Sequence, residues 1–508
     1  MFDYRHKKLT VEQLTITILL GIGILLPLIQ FLYNRSLLHD EALLALNIIH
    51  KDYFELLKPL DYYQVAPILF LMIEKFFSTL IPNSEYGLRL LPLLSYWVSF
   101  FFFYKIIKKL FYNKITIILT LAFFVFNHYL IYYSSEVKQY MFDVLTYTSI
   151  VYFTLENYRK EQTKLYILGI IGTLAIFFSN VAPIVLSTAG LYLLYEQFFI
   201  KKQKNNLAGL MAVFIIWLLA FSVYYYLFIL NHPSKELMDR WWSTQLGFLP
   251  LNSWHDFIRF VNNASRIFLM VLSYPIIFRV IIIVLLIVGI FSIIRGKQIG
   301  IAIFTFTPTI LHLLLSGFHL YPVYHRLILY LVPSILLICA AGFNYMLIWL
   351  SSRFKSLNFK FLCFTPILFL FLLFYDFPIQ SSASNNISGI KRSMKYLEKN
   401  ASNDETIYVY WIQGPPFKYY QDIGFINIQT PVIISRDALF ISLAEQKSGY
   451  TFNDLEALYK THGKVWLYFE DNYMDQKERL IHHLDSLGFE KIKEYRSGIS
   501  DIFLYDFK

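Results

Sequence analysis

The stretch HDEALLALNIIHKDYFELLKPLDYYQVAPILFLMIEKFF, residues 39–77, follows directly on an apolar run at 14–33. It sets Asp40, Glu41, Asp52, Glu55, Asp61 and Glu74 into a chain that is otherwise largely hydrocarbon. A carboxylate at the centre of a membrane helix costs roughly 2.5–3.5 kcal/mol on insertion scales unless it faces water, a partner or a substrate. A dense group of them just beyond a first span therefore marks a candidate site at the membrane surface. Asp40 can also act simply as the cap of the helix that follows, with Glu41 favoured near its positive end. The two roles are compatible.

Hydrophobic residues make up 56% of the 508 and charged residues only 16%, against about 25% charged in soluble domains. With a mean hydropathy of +0.49, this is the composition of a polytopic membrane protein. The 39 Tyr and 49 Phe suit interfacial belts and lipid-facing surface. A net charge of +10 could suggest nucleic acid, but the basic residues sit in short clusters between apolar runs and read as topology signals. Cys339 and Cys363 both lie in apolar segments, so no disulfide framework is expected. The first run has no small-residue cleavage pattern and reads as a retained anchor.

Apolar runs at 14–33, 88–110, 115–133, 141–157, 164–181, 184–200, 207–230, 266–294, 299–316, 327–350 and 359–377 give about eleven membrane helices, each near the roughly 20 residues needed to cross. Residues 67–80 are apolar too, but cover only about 21 Å at 1.5 Å per residue and carry Glu74 and Lys75. With that run lying along the surface and a cytoplasmic N-terminus, the basic clusters at 105–114, 159–164, 201–204, 295–297 and 353–360 all fall inside, as the positive-inside rule requires. A span at 67–80 would put every one of them outside, so an interfacial helix is expected there. The first outer loop is then 34–87, and 131–140, 231–265, 317–326 and the tail also face outward. Trp241, Trp242 and Trp254 in the third of these suit an interfacial belt better than sugar stacking. Residues 1–380 form the membrane module. Residues 381–508 form a small soluble α/β domain, with strands expected at ETIYVYWI, PVIISRD, KVWLYFE and SDIFLYDF and helices at ISGIKRSMKYLEKN, DLEALYKTHG and DQKERLIHHLDSLG.

The outer face carries the chemistry. Lys138 stands between Glu136 and Tyr140 in a loop otherwise free of cations, either snorkelling to the interface or awaiting a lipid phosphate. His319, His325 and Arg326 precede a later span, and Arg326 is an always-charged fork suited to phosphate. Carboxylates in one loop, a cation in the second and an Arg/His group in the fourth are the parts that an anionic lipid-linked donor needs. No nucleotide-binding signature, Cys/His metal spacing or nucleophile elbow occurs, and His482-His483 reads as a solvated helix pair.

DEALLALNI (40–48), KPLDYYQVAPILFLMIEK (58–75) and NSEYGLRLLPLLS (83–95) resemble the GT-C superfamily of membrane glycosyltransferases. YYSSEVKQYMFDVL (132–145) and HRLILYLVPSILL (325–337) add weaker likeness. The chain looks like the bacterial branch of the dolichyl-phosphate-mannose protein mannosyltransferase family, which includes lipid A aminoarabinose and lipopolysaccharide core transferases. The resemblance implies an inverting transfer from a polyprenyl-phosphate sugar to an acceptor hydroxyl on the outer face. Asp40 would be the general base and Glu41 its supporting carboxylate. Lys138, Arg326 and Lys58 would meet the donor phosphate, and Asp61, Gln64, Glu136, Tyr140, His319 and His325 the rest of the substrates. This chain departs from the family's Lys-Pro-Pro-Leu pattern, leaving Lys58, Asp61 and Gln64 all open for one donor contact. Lys138 stands where relatives often carry arginine, which keeps a point charge without the bidentate fork. No cofactor is implied, and a divalent cation stays an open question. The partners implied are the lipid-linked sugar, an acceptor that is lipid, polysaccharide or protein, and membrane lipids. Nucleic acid is not among them. A lipid-linked glycan flippase should show internal repeats or broken helices near the midplane, and neither is visible. A surface-polysaccharide ligase or polymerase would share the topology but transfer a whole glycan.

The charge pattern predicts an integral membrane protein of a bacterial inner or plasma membrane, with the tail outside. An engineered Ser384→Cys should react with an impermeant thiol reagent applied to intact cells, and Lys202→Cys should not. The reverse pattern would invert the topology.

Overall fold

The structure, a computed structural model, describes residues 10–157, 163–201, 207–250, 253–271, 276–353, 387, 389–435, 463–470 and 476–507. Apolar sequence becomes helix throughout the first of these segments. Helix α1 (Val11–Tyr33) starts at Thr10, whose hydroxyl accepts the Gln13 N–H while the Gln13 side chain accepts the Thr10 N–H. This reciprocal cap satisfies two donors that the first turn would otherwise leave orphaned. It ends at Asn34 in the left-handed region, φ 46°. Then come α2 (His39–His50), α3 (Ile68–Leu80) and α4 (Glu85–Leu110). At 13 residues, α3 is a short helix packed on α2, α4 and a later apolar helix, starting just after Pro67.

Two expected spans divide. The run 115–133 breaks into α5 (Lys114–Val125) and α6 (His128–Tyr133), because Asn127 turns its side chain to accept the Leu130 N–H and starts a new helix. The helices that follow are α7 (Tyr140–Asn157), α8 (Thr163–Phe178), α9 (Ala182–Tyr195), α10 (Leu207–Tyr224), α11 (Lys235–Thr244), α12 (Trp254–Val271), α13 (Ile276–Arg295), α14 (Ile299–Gly317) and α15 (Val332–Arg353). The run 266–294 is thus shared between α12, an amphipathic helix that starts in the preceding loop, and α13. Among the described residues six stretches are long and apolar enough to cross a membrane: 11–33, 85–110, 182–201, 207–230, 299–317 and 329–353. The helices at 114–125 and 165–178 are apolar but shorter, and the run 359–377 lies outside the described residues.

The tail forms a five-stranded sheet flanked by helices: α16 (Gly389–Asn400), β1 (Thr406–Val409), α17 (Gly414–Asp422), β2 (Val432–Ile434), β3 (Lys464–Glu470), α18 (Gln476–Ser486), β4 (Glu490–Ser497) and β5 (Ser500–Asp506). The strand order is β2-β1-β3-β5-β4, parallel from β2 to β3 and antiparallel thereafter. The expected helix DLEALYKTHG lies outside the described residues. Two elements go beyond the sequence reading. Strand β4 is a mostly exposed, charged edge strand without the apolar alternation that marks a half-buried strand. Helix α17 is a nine-residue helix opened by Pro415 and Pro416, residues that fit a helix's first turn because no N–H is needed there.

Helices α13 and α15 pack at backbone distance, and glycine makes this possible. A Cβ built on Gly342 would lie 2.4 Å from the Leu285 carbonyl oxygen, and one on Gly289 would lie 2.1 Å from that of Ile338. Small residues that let backbones approach are how membrane helices associate without a hydrophobic drive between them. Gly342→Ala should therefore destabilise the folded protein by about 1–3 kcal/mol, the range for overpacking. Gly21→Ala, with nothing within 4 Å of the new carbon, should be near neutral. Thermal melts of both variants in detergent check this contrast.

Candidate active site

The link between α1 and α2, residues 34–38, and the first turn of α2 lie at the centre of a cluster of ion pairs. Neighbouring residues on a helix point about 100° apart, and Asp40 and Glu41 accordingly meet different surroundings. Glu41 is 1% exposed. It accepts the Leu38 N–H at 3.1 Å, the Val137 N–H at 3.0 Å and Arg35 Nη1 at 2.5 Å, with Arg89 Nη2 3.6 Å away. Its lone pairs are taken by the protein itself. Arg35 stacks over the Tyr132 ring at 4.6 Å and comes within 4.0 Å of Glu136. Arg89, fully buried, donates to the Asn34 side chain and to the Arg35 carbonyl. Neither arginine was among the candidates from sequence, although Arg35 follows the first span directly.

Asp40 faces the other way, with its side chain 42% exposed, and pairs with Arg326 Nη1 at 2.5 Å. Burial by itself would raise the Asp40 pKa. Arg326 first, then Lys138 and His39, outweigh it and hold the carboxyl well below its ordinary range. Arg326 is caged by the rings of Tyr140, Tyr324 and Trp242 at 5.7, 5.8 and 6.0 Å. Trp242, assigned to the interfacial belt from sequence, therefore also lines this cage, whereas Trp254 is exposed. The loop carrying Arg326 is anchored from α14. His312 bridges the Pro322 carbonyl and the Tyr330 hydroxyl, while Ser316 Oγ bonds the Gly247 carbonyl and the Leu249 N–H.

Lys138 is almost wholly buried and donates to Gln64 Oε1 at 2.8 Å. Burial lowers its pKa, and Asp40 opposes that only in part. Gln64 and the exposed Lys58 in turn line an open groove with Ile68, Leu71, Asn180 and Tyr224. The groove therefore runs up to the Lys138 amide partner. Glu136 is nearly buried beside these charges. Burial above all, then Glu41, push its pKa from an ordinary 4.5 up to about 8, against Arg35, Arg326 and Lys138.

Three predicted residues sit differently. His325 packs against Tyr324 and Tyr129, and burial followed by Arg326 pushes its pKa down to about 4, so it offers hydrogen bonds and no charge. His319 is exposed, stacked on Phe248 and paired with Asp239. Asp61 is 64% exposed and pairs with Lys51, while its backbone exchanges hydrogen bonds with the Asn47 side chain, tying the loop to α2. Among the described residues no group of three or more His, Cys, Asp or Glu is arranged to hold a metal ion.

Residues 65–226 match the family model described as dolichyl-phosphate-mannose-protein mannosyltransferase. The fold as a whole is similar to the crystal structure of ArnT from Cupriavidus metallidurans bound to undecaprenyl phosphate, with a TM-score of 0.51 at 9% identity, covering 97% of each chain. The same protein in the apo state gives a TM-score of 0.46 at 9% identity, covering 96% of this chain and 97% of that one. A comparison with curated proteins finds no match in sequence. The chain thus shares the fold of that protein, and about a third of its length matches the mannosyltransferase family model.

Three variants test the electrostatics. Glu41→Gln leaves two buried arginines without their carboxylate and should destabilise the protein by about 3–5 kcal/mol, seen as a lowered melting temperature, whereas Asp40→Asn should cost far less. Glu136 binds its proton more tightly in the folded than in the unfolded chain, so stability should fall as pH rises from about 4.5 through 8. In Glu136→Gln that slope between pH 5.5 and 8.5 should flatten. An unchanged pH dependence would show that Glu136 ionises normally.

Proposed function

We propose that this chain is a membrane glycosyltransferase that moves a sugar from a polyprenyl-phosphate donor to an acceptor hydroxyl on the outer face, with inversion. One observation carries the reading. Asp40, the partly exposed carboxylate of the pair, stands in reach of two cations, Arg326 and Lys138, and the Gln64 partner of Lys138 opens into a groove carrying Lys58. The mannosyltransferase family match and the fold shared with a protein crystallised with undecaprenyl phosphate support the same donor class.

The acceptor oxygen attacks the anomeric carbon from the face opposite the phosphate. The bond from that carbon to the phosphate oxygen breaks, its electron pair staying on the lipid phosphate, and the hydroxyl proton passes to Asp40. The donor phosphate carries one negative charge and gains a second as it leaves, so cations bind it more strongly in the transition state than before. That difference is what accelerates a reaction. Arg326 holds Asp40 in a low-basicity state while the two are paired. When Arg326 turns toward the phosphate, charge accumulates there and the Asp40 carboxylate is released to act as base. Lys138 exchanges Gln64 for the phosphate in the same way, and Lys58 waits in the groove. Glu41 keeps the turn that presents Asp40. No step calls for a metal.

Asp40→Asn keeps size and capping ability, since Asn caps as well as Asp. It should bind the lipid donor and lose transfer by at least about a hundredfold. Near-normal turnover in that variant would remove Asp40 from the reaction. Lys138→Ala should weaken donor binding by about 2–5 kcal/mol, read by titration with the lipid-linked sugar. Weighing the product separates the alternatives, because a flippase adds no mass and a ligase or polymerase adds a whole glycan.

A further inference from the structure

We propose that the tail domain is a positioning element of the active site, holding residues 34–39 and so aiming Asp40. The link from α1 to α2 has no regular structure of its own, so its backbone groups must find partners elsewhere. Much of that partnership comes from residues more than 350 positions away. Lys391 Nζ donates to the Asn34 carbonyl at 3.0 Å, and the Lys391 N–H donates to Ser36 Oγ at 3.2 Å. The Tyr420 hydroxyl accepts the Leu37 N–H at 2.8 Å and donates to Glu85 at 2.8 Å. Glu85 also pairs with Lys391 at 2.5 Å and accepts from the Asn34 side chain. The Ile412 carbonyl meets His39 Nδ1 at 3.0 Å, and the Trp411 ring stands edge-on to that imidazole at 5.2 Å. His39 is the residue before Asp40.

The source of these groups is a loop with a defined place in the sheet. Residues 410–413 leave the carboxyl end of β1, the strand that pairs in parallel with both β2 and β3, and lead into α17. In open sheets of parallel strands that end is where ligands are bound; here it receives the first turn of α2. Helix α17 then lies against α2. Its Asp422 meets His50 at 3.0 Å, so the tail holds α2 at both ends. Displacement of a catalytic group by about 1 Å can cost a hundredfold in rate. A base in the helical turn that directly follows an irregular link is exposed to such displacement unless the link is held.

The test uses the full-length protein in lipid nanodiscs. Tyr420→Phe removes both hydrogen bonds of the hydroxyl and keeps the ring. Hydrogen exchange of the peptide covering 34–50 should quicken about five- to tenfold, with β3 unchanged. In the same variant kcat should fall about tenfold or more, with donor affinity within about twofold of wild type. His39→Leu should lower kcat likewise, and His39→Asn, which keeps a donor for the Ile412 carbonyl, should recover part of it. Unchanged exchange and kcat in Tyr420→Phe would overturn the proposal. So would faster exchange with kcat intact, since the tail would then pack on the link without aiming the base. The kinetic arm rests on the glycosyltransferase reading. If wild type transfers no sugar, that reading falls, and the exchange measurement alone decides whether the tail holds 34–39.

Discussion

Burying Glu41 between two arginines is the constraint on which the rest of this charged cluster depends. An ionised carboxylate out of water costs several kcal/mol unless it is both paired and hydrogen-bonded. Here the contacts that meet that demand come from three segments: Arg35 and the Leu38 N–H from the link, Arg89 from α4 and the Val137 N–H from the loop before α7. Satisfying one side chain therefore locks three segments together. The loop that carries Lys138 is brought to Asp40 by its neighbour Val137, which Glu41 holds. The two adjacent carboxylates divide the work that a single acidic residue could not do, one giving its charge to the fold and the other keeping a face toward water.

The cations follow a second rule, which is that each has a partner that can be given up. Arg326 rests on an aspartate that is partly exposed, inside aromatic walls that keep the guanidinium in place by cation–π attraction. Lys138 rests on a neutral amide, a weaker partner than a carboxylate. Such arrangements leave charge more available to a newcomer than a fully buried carboxylate pair, as at Arg35, does.

Much of this was readable beforehand because membrane composition is unambiguous. Among the described residues the apolar runs became helices, with Asn127 breaking the run 115–133 and the run 266–294 shared between α12 and α13. In the tail, β1, β2, β3 and β5 fall within apolar or alternating segments. Strand β4 did not announce itself, because an exposed edge strand is under no pressure to alternate, and GPPFKYYQD resembles a turn until its prolines are seen to occupy the first turn of a helix. At the site, the residue types were legible and the pairings were not. Asp40 and Arg326 are 286 positions apart, and no local pattern reports which of several arginines an aspartate will meet. Trp242 could be placed at an interface by its chemistry alone, but its position against Arg326 follows from tertiary packing.

The joint between tail and membrane module relies heavily on main-chain atoms: the Ile412 and Asn34 carbonyls and the Leu37 and Lys391 N–H groups. Backbone atoms are the same whatever residue carries them, so the hydrogen bonds at 37 and 412 do not depend on side-chain identity, although Leu37 is itself packed in the core. A few polar side chains, Tyr420, Lys391 and Glu85 among them, then bear the sequence cost of keeping two modules in register. A joint of this kind lends itself to exchange. A tail from a distant homologue, inheriting those few side chains, would find the same docking atoms waiting on a membrane module it had never met.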